Sequence, residues 1–457
     1  MSVASEFGAV LQRAREAGVQ QVRFLYCDNG GLIRGKSTHV SGLPGRLISG
    51  IGLTVAMQAF TAQDELASVP GMGPVGEIRL VPDPSTFVVL PYVPATAAML
   101  VDMQGIDGTP WEACPREFLR EQLRRLAQHG QLRGRFRAAF EAEFTLARHD
   151  AQDDLIPLDE SRCFATTGMN AAADVIHAVL SALEAQGLTP EQYYAELGHG
   201  QQELSLRHAE GVAAADQQVV LRETVRGVAA RNGVVATFAP KPWTDQAGNG
   251  AHVHFSVWSE DGMRNLFADS TAPYGLSQDG RQFAAGVLEH LPALTAVTCA
   301  SVNSYRRLQP NTWSSAYTAW GPDNREAAIR VPSAFRGNES ASINLELKAC
   351  DVTGNPYLVL GALIAAGLDG VERGLSLPEP ALADPAAMTE QERTARRIVR
   401  LPRSLDEAIT ALEADTYLRD QFPKRLLVAY TAVKRSEAAH FSGRDVSYEL
   451  ARHFSIY

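Results

Sequence analysis

Two short stretches restrict what this chain can fold into. "FEAEF" (Phe140 to Phe144) and "AHVHFSVW" (Ala251 to Trp258) both alternate with a period of two, the side-chain repeat of a β-strand. In the first, Glu141 and Glu143 share one face while Phe140, Ala142 and Phe144 take the other. In the second, His252, His254, Ser256 and Trp258 fall on one face, with Val253, Phe255 and Val257 turned to a core. Two carboxylates side by side on a strand repel unless solvent or a cation neutralises them. A third stretch, "INLELKACD", sets Glu346 and Lys348 opposite Ile343, Leu345 and Leu347. "AELGHGQQEL" adds Glu196 and Glu203 around a Gly-Gln turn, read as a loop. Taken one at a time, such residues are solvated strand faces or hydrogen-bonded histidines. Together they describe strands presenting Glu and His at i, i+2 spacing. Carboxylates with a minority of imidazole suit Mg²⁺ or Mn²⁺ better than a closed zinc site.

Arginines cluster further along: Arg306 and Arg307 in "NSYRRLQP", Arg325 and Arg330 in "GPDNREAAIRVP", Arg336 in "FRGNE". A guanidinium offers a planar fork to carboxylates and phosphates. Beside a metal-binding carboxylate set, these arginines point to phosphoryl transfer from a nucleotide, where catalysis is mainly positioning and charge neutralisation. The chain has no Walker-type glycine loop and no kinase signature, so its nucleotide site is of another kind.

At 457 residues the chain is too long for one ordinary core. Residues 1–107 carry β signals, including "VQQVRFLYCD" followed by an "NGG" turn, and form a small β-rich domain. "GIDGTP" (Gly105 to Pro110) reads as the boundary. Residues 108–457 mix strands and helices, giving an α+β fold with a large antiparallel sheet flanked by helices. The tail from about Pro378 is charged and helical, and reads as a surface or subunit-contact region. A net charge of −10 without a basic run argues against nucleic acid or an anionic membrane as partner. The longest apolar run, "YLVLGALIAAGL" (Tyr357 to Leu368), is too short to span a bilayer and suits a buried helix. "MSVASEFGAVLQRAREAG" reads as an amphipathic helix and not a signal peptide. Five scattered cysteines without a CxxC fit reduced thiols, so a cytoplasmic location is expected.

These motifs, with "ATFAPKPWTDQAGNGAHVHFS" and "GNPYLVLGALIAAGLDG", stand in the order found in the glutamine synthetase superfamily, which the chain resembles from about Pro115 to Gly374 and more loosely at both ends. The resemblance implies a β-grasp-like N-terminal domain and a catalytic domain with a curved antiparallel sheet. It matches Glu143, Glu196 and Glu203 to the ligands of one divalent ion, and Glu141, His252 and Glu346 to those of a second. It places His254 on the transferring phosphoryl group and Arg307 on the substrate α-carboxylate. Arg325 falls on the ATP phosphates with Arg330 close by, and the Gly248-Asn249-Gly250 loop around the amino acid. It implies ATP and two or more Mg²⁺ or Mn²⁺ ions, glutamate and an amine as substrates, and a ring-shaped homo-oligomer, commonly a dodecamer. The expected reaction converts glutamate to γ-glutamyl phosphate, from which an amine displaces phosphate.

Three departures bear on the amine. The region where the family carries an ammonium-binding Asp reads "SGIGLTVAMQAF" (Ser49 to Phe60), with no acidic residue until Asp64. Trp313 stands at the position of the family's flap glutamate. Lys348 replaces an arginine on the γ-carboxylate, keeping charge but losing the fork. A pocket with two acids fewer favours an organic amine with an apolar part, and Trp313 can meet a cation through its ring face. The alternatives are a glutamine synthetase using ammonia, a catalytically silent scaffold, and a kinase acting without an amide step.

Overall fold

The computed structural model describes residues 3–457, so Met1 and Ser2 of the N-terminal stretch lie outside the described residues. The remainder of that stretch is helical, Val3–Glu16. The first sheet contains β1 (Gln21–Cys27), β2 (Ile33–His39), β3 (Ile51–Thr54), β4 (Glu77–Pro82), β5 (Val88–Val89) and β6 (Thr96–Gln104). Its order is β2-β1-β6-β4-β3, with β5 on β6. β1 and β6 run parallel while their outer neighbours are antiparallel, as a β-grasp-like domain requires. The "NGG" turn joins β1 to β2 in the expected hairpin, its last pair being Cys27 with Ile33. This sheet ends at Gln104, and the next helix starts at Pro115.

The second sheet is built on β7 (Arg135–His149), 15 residues long. After it come β8 (Leu155–Pro157), β9 (Pro190–Ala195), β10 (Gln201–Leu206), β11 (Ala209–Glu210), β12 (Val235–Thr237), β13 (Ala251–Trp258), β14 (Trp320–Pro322), β15 (Ile329–Val331) and β16 (Leu345–Leu347). The path is β14-β15-β16-β13-β7-β10-β9, with β8, β11 and β12 also on β7. All its ladders are antiparallel except β14 with β15. The curved sheet flanked by helices is the architecture expected.

The apolar run forms helix Pro356–Glu372, with Pro356 to Val371 all buried. Asn355 caps it, accepting from the N–H groups of Tyr357 and Leu358. It crosses helix Gln278–Glu289 at a point where only glycine fits: a Cβ on Gly370 would lie 2.1 Å from the Gln282 carbonyl oxygen and 2.5 Å from the Gly286 nitrogen. No helix among the described residues is long and apolar enough to cross a membrane. The tail is less superficial than its charge suggests. In helix Lys424–Phe441, Lys434 is fully buried and its Nζ donates to Glu437 at 2.9 Å. The other Glu437 oxygen accepts from Ala62 N–H of the N-terminal domain, so these charges bridge the two parts of the chain. The charged pair lies within one helix, and its Glu437 also reaches the N-terminal domain.

Candidate active site

The register of the large sheet brings the separate motifs together. Glu203 on β10 pairs with Glu143 on β7, Glu141 with His252 on β13, His254 with Glu346 on β16, and Glu346 with Arg330 on β15. Because side chains alternate across each strand, this staircase delivers six carboxylate or imidazole groups and one guanidinium to a single face. Glu203 sits on a strand and Glu196 just past the end of β9, so the loop reading of "AELGHGQQEL" holds only for the turn between them.

Glu141, His252 and Glu346 each offer a ligand atom, and these lie within 4.8 Å of one another, the one such trio among the described residues. His252 Nδ1 is 3.5 Å from Glu346 Oε1 and 4.0 Å from Glu141 Oε2. Burial, then the charges of Lys348, Arg307 and His254, hold the His252 pKa well below the usual imidazole range. It is therefore neutral and keeps a lone pair to donate. His254 behaves oppositely. Burial works to lower its pKa, but Glu141 and Glu346 outweigh this and raise it to about 9. His254 therefore favours the protonated form, with its Nε2 3.3 Å from Glu141 Oε2 and its Nδ1 2.9 Å from Asn344 Oδ1. Two neighbouring histidines thus take different protonation states, set by which charges each one faces.

Glu346 is 1% exposed, and neither of its oxygens has an aligned hydrogen-bond donor. Arg330 Nη1 lies 2.8 Å from Oε2 and Lys348 Nζ 3.6 Å from Oε1. The Arg330 contact is short enough for an ion pair but lies off the hydrogen-bonding direction. Buried carboxylate oxygens without donors are what a divalent cation needs, so the donor set fits Mg²⁺ or Mn²⁺. The other three carboxylates form a looser group. Glu143 Oε2 accepts from Gly250 N–H and from Gln201 Nε2, both at 2.9 Å. Burial lifts the Glu143 pKa; burial and the charges of Glu143 and Glu141 lift that of Glu203. Burial and the Glu143 charge raise Glu196 to about 7. Three acids packed this closely resist full ionisation, a strain that added positive charge would relieve.

The glycine loop earns its composition from Arg307, whose side chain runs directly over it. A Cβ on Gly250 would meet Arg307 Nη2 at 2.3 Å, and one on Gly248 would meet the Pro240 carbonyl oxygen at 2.2 Å and Arg307 Cγ at 3.0 Å. Arg307 Nη2 lies 3.2 Å from His252 Nε2. Asn249, between the glycines, is 1% exposed. Its Oδ1 accepts from Thr145 Oγ1 at 3.1 Å and its Nδ2 donates to the Ala239 carbonyl at 2.9 Å. Its side chain therefore fixes the loop, which leaves backbone groups to meet a ligand. Arg325 is exposed, and its charge reaches Glu196. Trp313 is 64% exposed; its loop is tied to the site through Thr312, whose hydroxyl donates to the Arg307 carbonyl at 3.1 Å.

Sequence reasoning passed over Gln201, Tyr194, Asn344 and Glu326. The Tyr194 hydroxyl donates to Glu203, and the Glu326 carboxylate accepts the Trp313 N–H at 2.7 Å. Tyr194 was findable, since it faces Glu203 in the β9–β10 register. Glu326 had no signal beyond its place between two arginines of one motif.

Two family models cover almost the whole chain: the glutamine synthetase N-terminal domain over residues 7–111 and the glutamine synthetase catalytic domain over residues 112–453. Among curated relatives, a gamma-glutamylpolyamine synthetase of Streptomyces coelicolor is 38% identical over 431 residues, covering 94% of this chain and 91% of its own. A glutamine synthetase of Halobacterium salinarum is 35% identical over 383 residues, 82% of this chain and 83% of its own. Among solved structures, a glutamine synthase homologue matches with a TM-score of 0.85 at 35% identity, covering 96% of this chain and 99% of the other. A GmaS/ADP complex matches with a TM-score of 0.84 at 29% identity, covering 96% and 98%.

Proposed function

The chain belongs to the glutamine synthetase family, and on that premise we propose that it joins the γ-carboxyl of glutamate to an organic amine at the expense of ATP. It is a ligase of this family, and the relative most informative about its acceptor is a gamma-glutamylpolyamine synthetase. The observation that carries the reading is the convergence of Glu141, His252 and Glu346 from three strands, beside Arg307, Arg330, Lys348 and a protonated His254. That arrangement suits the build-up of negative charge on a transferring phosphoryl group.

In this reading Glu141, His252 and Glu346 hold one Mg²⁺ or Mn²⁺, and Glu143, Glu196 and Glu203 hold a second. Bound there, the ions would neutralise the carboxylates and polarise phosphoryl and acyl oxygens. Arg307, stretched over the glycine loop, orients the glutamate α-carboxylate against the backbone of Gly248 to Gly250. Lys348 faces the γ-carboxylate as a point charge. His254, with Arg325 and Arg330, stabilises the phosphoryl group as it leaves ADP for the γ-carboxylate oxygen. The amine nitrogen then attacks the acyl carbon, phosphate departs as the leaving group, and the nitrogen sheds its proton as the amide forms. Trp313 lines the amine side. We further propose a ring-shaped homo-oligomer acting in the cytoplasm, with the division between domains at residues 107–108.

Glutamine synthesis from ammonia is the second reading, favoured by the identity to glutamine synthetases. Phosphate release from ATP and glutamate, measured with Mg²⁺ or Mn²⁺ against ammonium, alkylamines, polyamines, ethanolamine and anilines, separates the two. Stimulation by organic amines beyond ammonium supports the proposal, whereas activity with ammonium alone overturns it. ATP turnover needing no amine would point to the kinase reading.

A further inference from the structure

The amine side of the site lacks acids where the family resemblance puts them: Ser49–Phe60 contains none, and Trp313 takes the flap position. A carboxylate nevertheless arrives there from another segment. Glu326 lies in the connection between β14 and β15, half-buried, and its Oε1 accepts the Trp313 N–H at 2.7 Å. Arg330 and Lys348 pair with Glu346, while the Lys348 charge is still felt at Glu326 and the Asp384 charge opposes it. Glu326 is thus a partly desolvated carboxylate that forms no close salt bridge among the described residues.

The loop that bears Trp313 is tied to this segment at several points. Besides the Glu326 contact, Ser315 Oγ donates to the Ala327 carbonyl at 3.0 Å. Asn311, Trp313 and Ser315 all have positive φ, at 60°, 58° and 67°. Residues with a Cβ rarely adopt that conformation, and three in one loop persist only where the surroundings impose them. The same segment leads straight into the site, because Lys348 N–H donates to the Ala328 carbonyl at 2.9 Å and Arg330 reaches Glu346. Glu326 is therefore joined to the backbone of the Trp313 loop on one side and, through its own segment, to Arg330 and the site on the other.

We propose that Glu326 receives the distal, non-reacting ammonium of a diamine or polyamine, with the Trp313 indole beside it. The nitrogen that attacks the acyl phosphate must be neutral. The other nitrogen of an aliphatic diamine, with a pKa near that of lysine at about 10.4, stays protonated. Entering a site lined by Arg307, Arg325, Arg330 and Lys348, that second charge needs an anion, and an aromatic face adds to its binding. A monoamine has no such charge, so Glu326 selects for the second one. This rests on the organic-amine reading and narrows it.

The test compares 1,4-diaminobutane with n-butylamine, which share a four-carbon chain, in the full-length enzyme with ATP, Mg²⁺ and glutamate. The readout is the ratio of kcat/KM for the two amines. Glu326→Gln keeps an oxygen for the Trp313 N–H and removes the charge; Glu326→Ala removes both. The wild type is expected to favour the diamine at least tenfold, and Glu326→Gln to bring the ratio close to one through the diamine KM, with the glutamate KM retained. A ratio that Glu326→Gln leaves in place, or a loss equal for both amines, would show a purely structural latch and overturn the proposal. A wild type that uses both amines equally overturns the Glu326 role alone. A wild type active only with ammonium overturns the organic-amine reading and this inference together.

Discussion

Glu346→Gln isolates the charge at the centre of the proposed metal site with almost no change of shape. In the wild type Glu346 is 1% exposed, with Arg330 at 2.8 Å, Lys348 at 3.6 Å, His252 at 3.5 Å and His254 at 3.8 Å. Removing the charge has two separable effects. Without metal, Arg330 and Lys348 lose their buried partner, an effect of about 3–5 kcal/mol when one member of such a pair is deleted. With metal, a charged ligand is gone. At free Mn²⁺ of about 100 times the wild-type Kd, binding stabilises the fold by about 2.7 kcal/mol. A 100-fold weaker site leaves RT ln 2, about 0.4 kcal/mol, at the same concentration. Changes in groups that merely orient metal ligands already weaken binding by about 10- to 100-fold, so loss of a ligand belongs at or beyond the upper end. The assay is thermal unfolding with and without Mn²⁺, alongside a Mn²⁺ titration read by electron paramagnetic resonance. The variant should melt lower without metal, and Mn²⁺ should restore little. A folded variant with the wild-type Mn²⁺ affinity and the wild-type Mn²⁺-induced shift would refute the assignment of Glu346 as a ligand.

Trp313→Glu should raise the ratio of ammonium to organic-amine turnover by roughly 2- to 5-fold, the scale of an exposed cation–π contact; an unchanged amine profile would remove Trp313 from the amine pocket. Gly370→Ala forces a methyl against the Gln282 carbonyl and the Gly286 backbone, and should cost about 1–3 kcal/mol in urea unfolding, an overpacking effect. His290 sits between Asp415, 2.6 Å from Nδ1, and Asp369, 2.9 Å from Nε2; burial opposes protonation, and the two carboxylates win and raise its pKa. A raised folded-state pKa gives stability that is complete below the unfolded value of about 6.5 and fades as pH rises through the folded value. His290→Asn should therefore lower the melting temperature more at pH 6 than at pH 9, and a gap that stays constant across that range would contradict the charged pairing.

The site's chemistry was legible because it follows the two-residue period. Glu141, Glu143, His252, His254 and Glu346 announce themselves as alternating polar positions in apolar strands, and a ladder register then has few ways to avoid bringing them together. Which strands are neighbours was not legible. β16 joins β13 across almost 90 residues, and nothing local in "LELKACD" names that partner. Protonation was equally hidden. His252 and His254 look alike in sequence, yet burial and the charges of Lys348 and Arg307 lower the pKa of one while Glu141 and Glu346 outweigh burial and raise that of the other. In the helical tail, the burial of Lys434 and Glu437 was also hidden, since it depends on contact with the N-terminal domain. Glu326 escaped notice because its significance is a contact with the backbone of Trp313, 13 residues away, which no side-chain pattern records.

The central claim, that this ligase attaches glutamate to an organic amine, is tested most directly by competition. The enzyme is given ATP, Mg²⁺ and glutamate with equal concentrations of ¹⁵N-ammonium and 1,4-diaminobutane, and the products are counted by mass spectrometry. The account predicts γ-glutamyl-diaminobutane as the dominant product, formed with one ADP and one phosphate per amide. Labelled glutamine as the dominant product would contradict it.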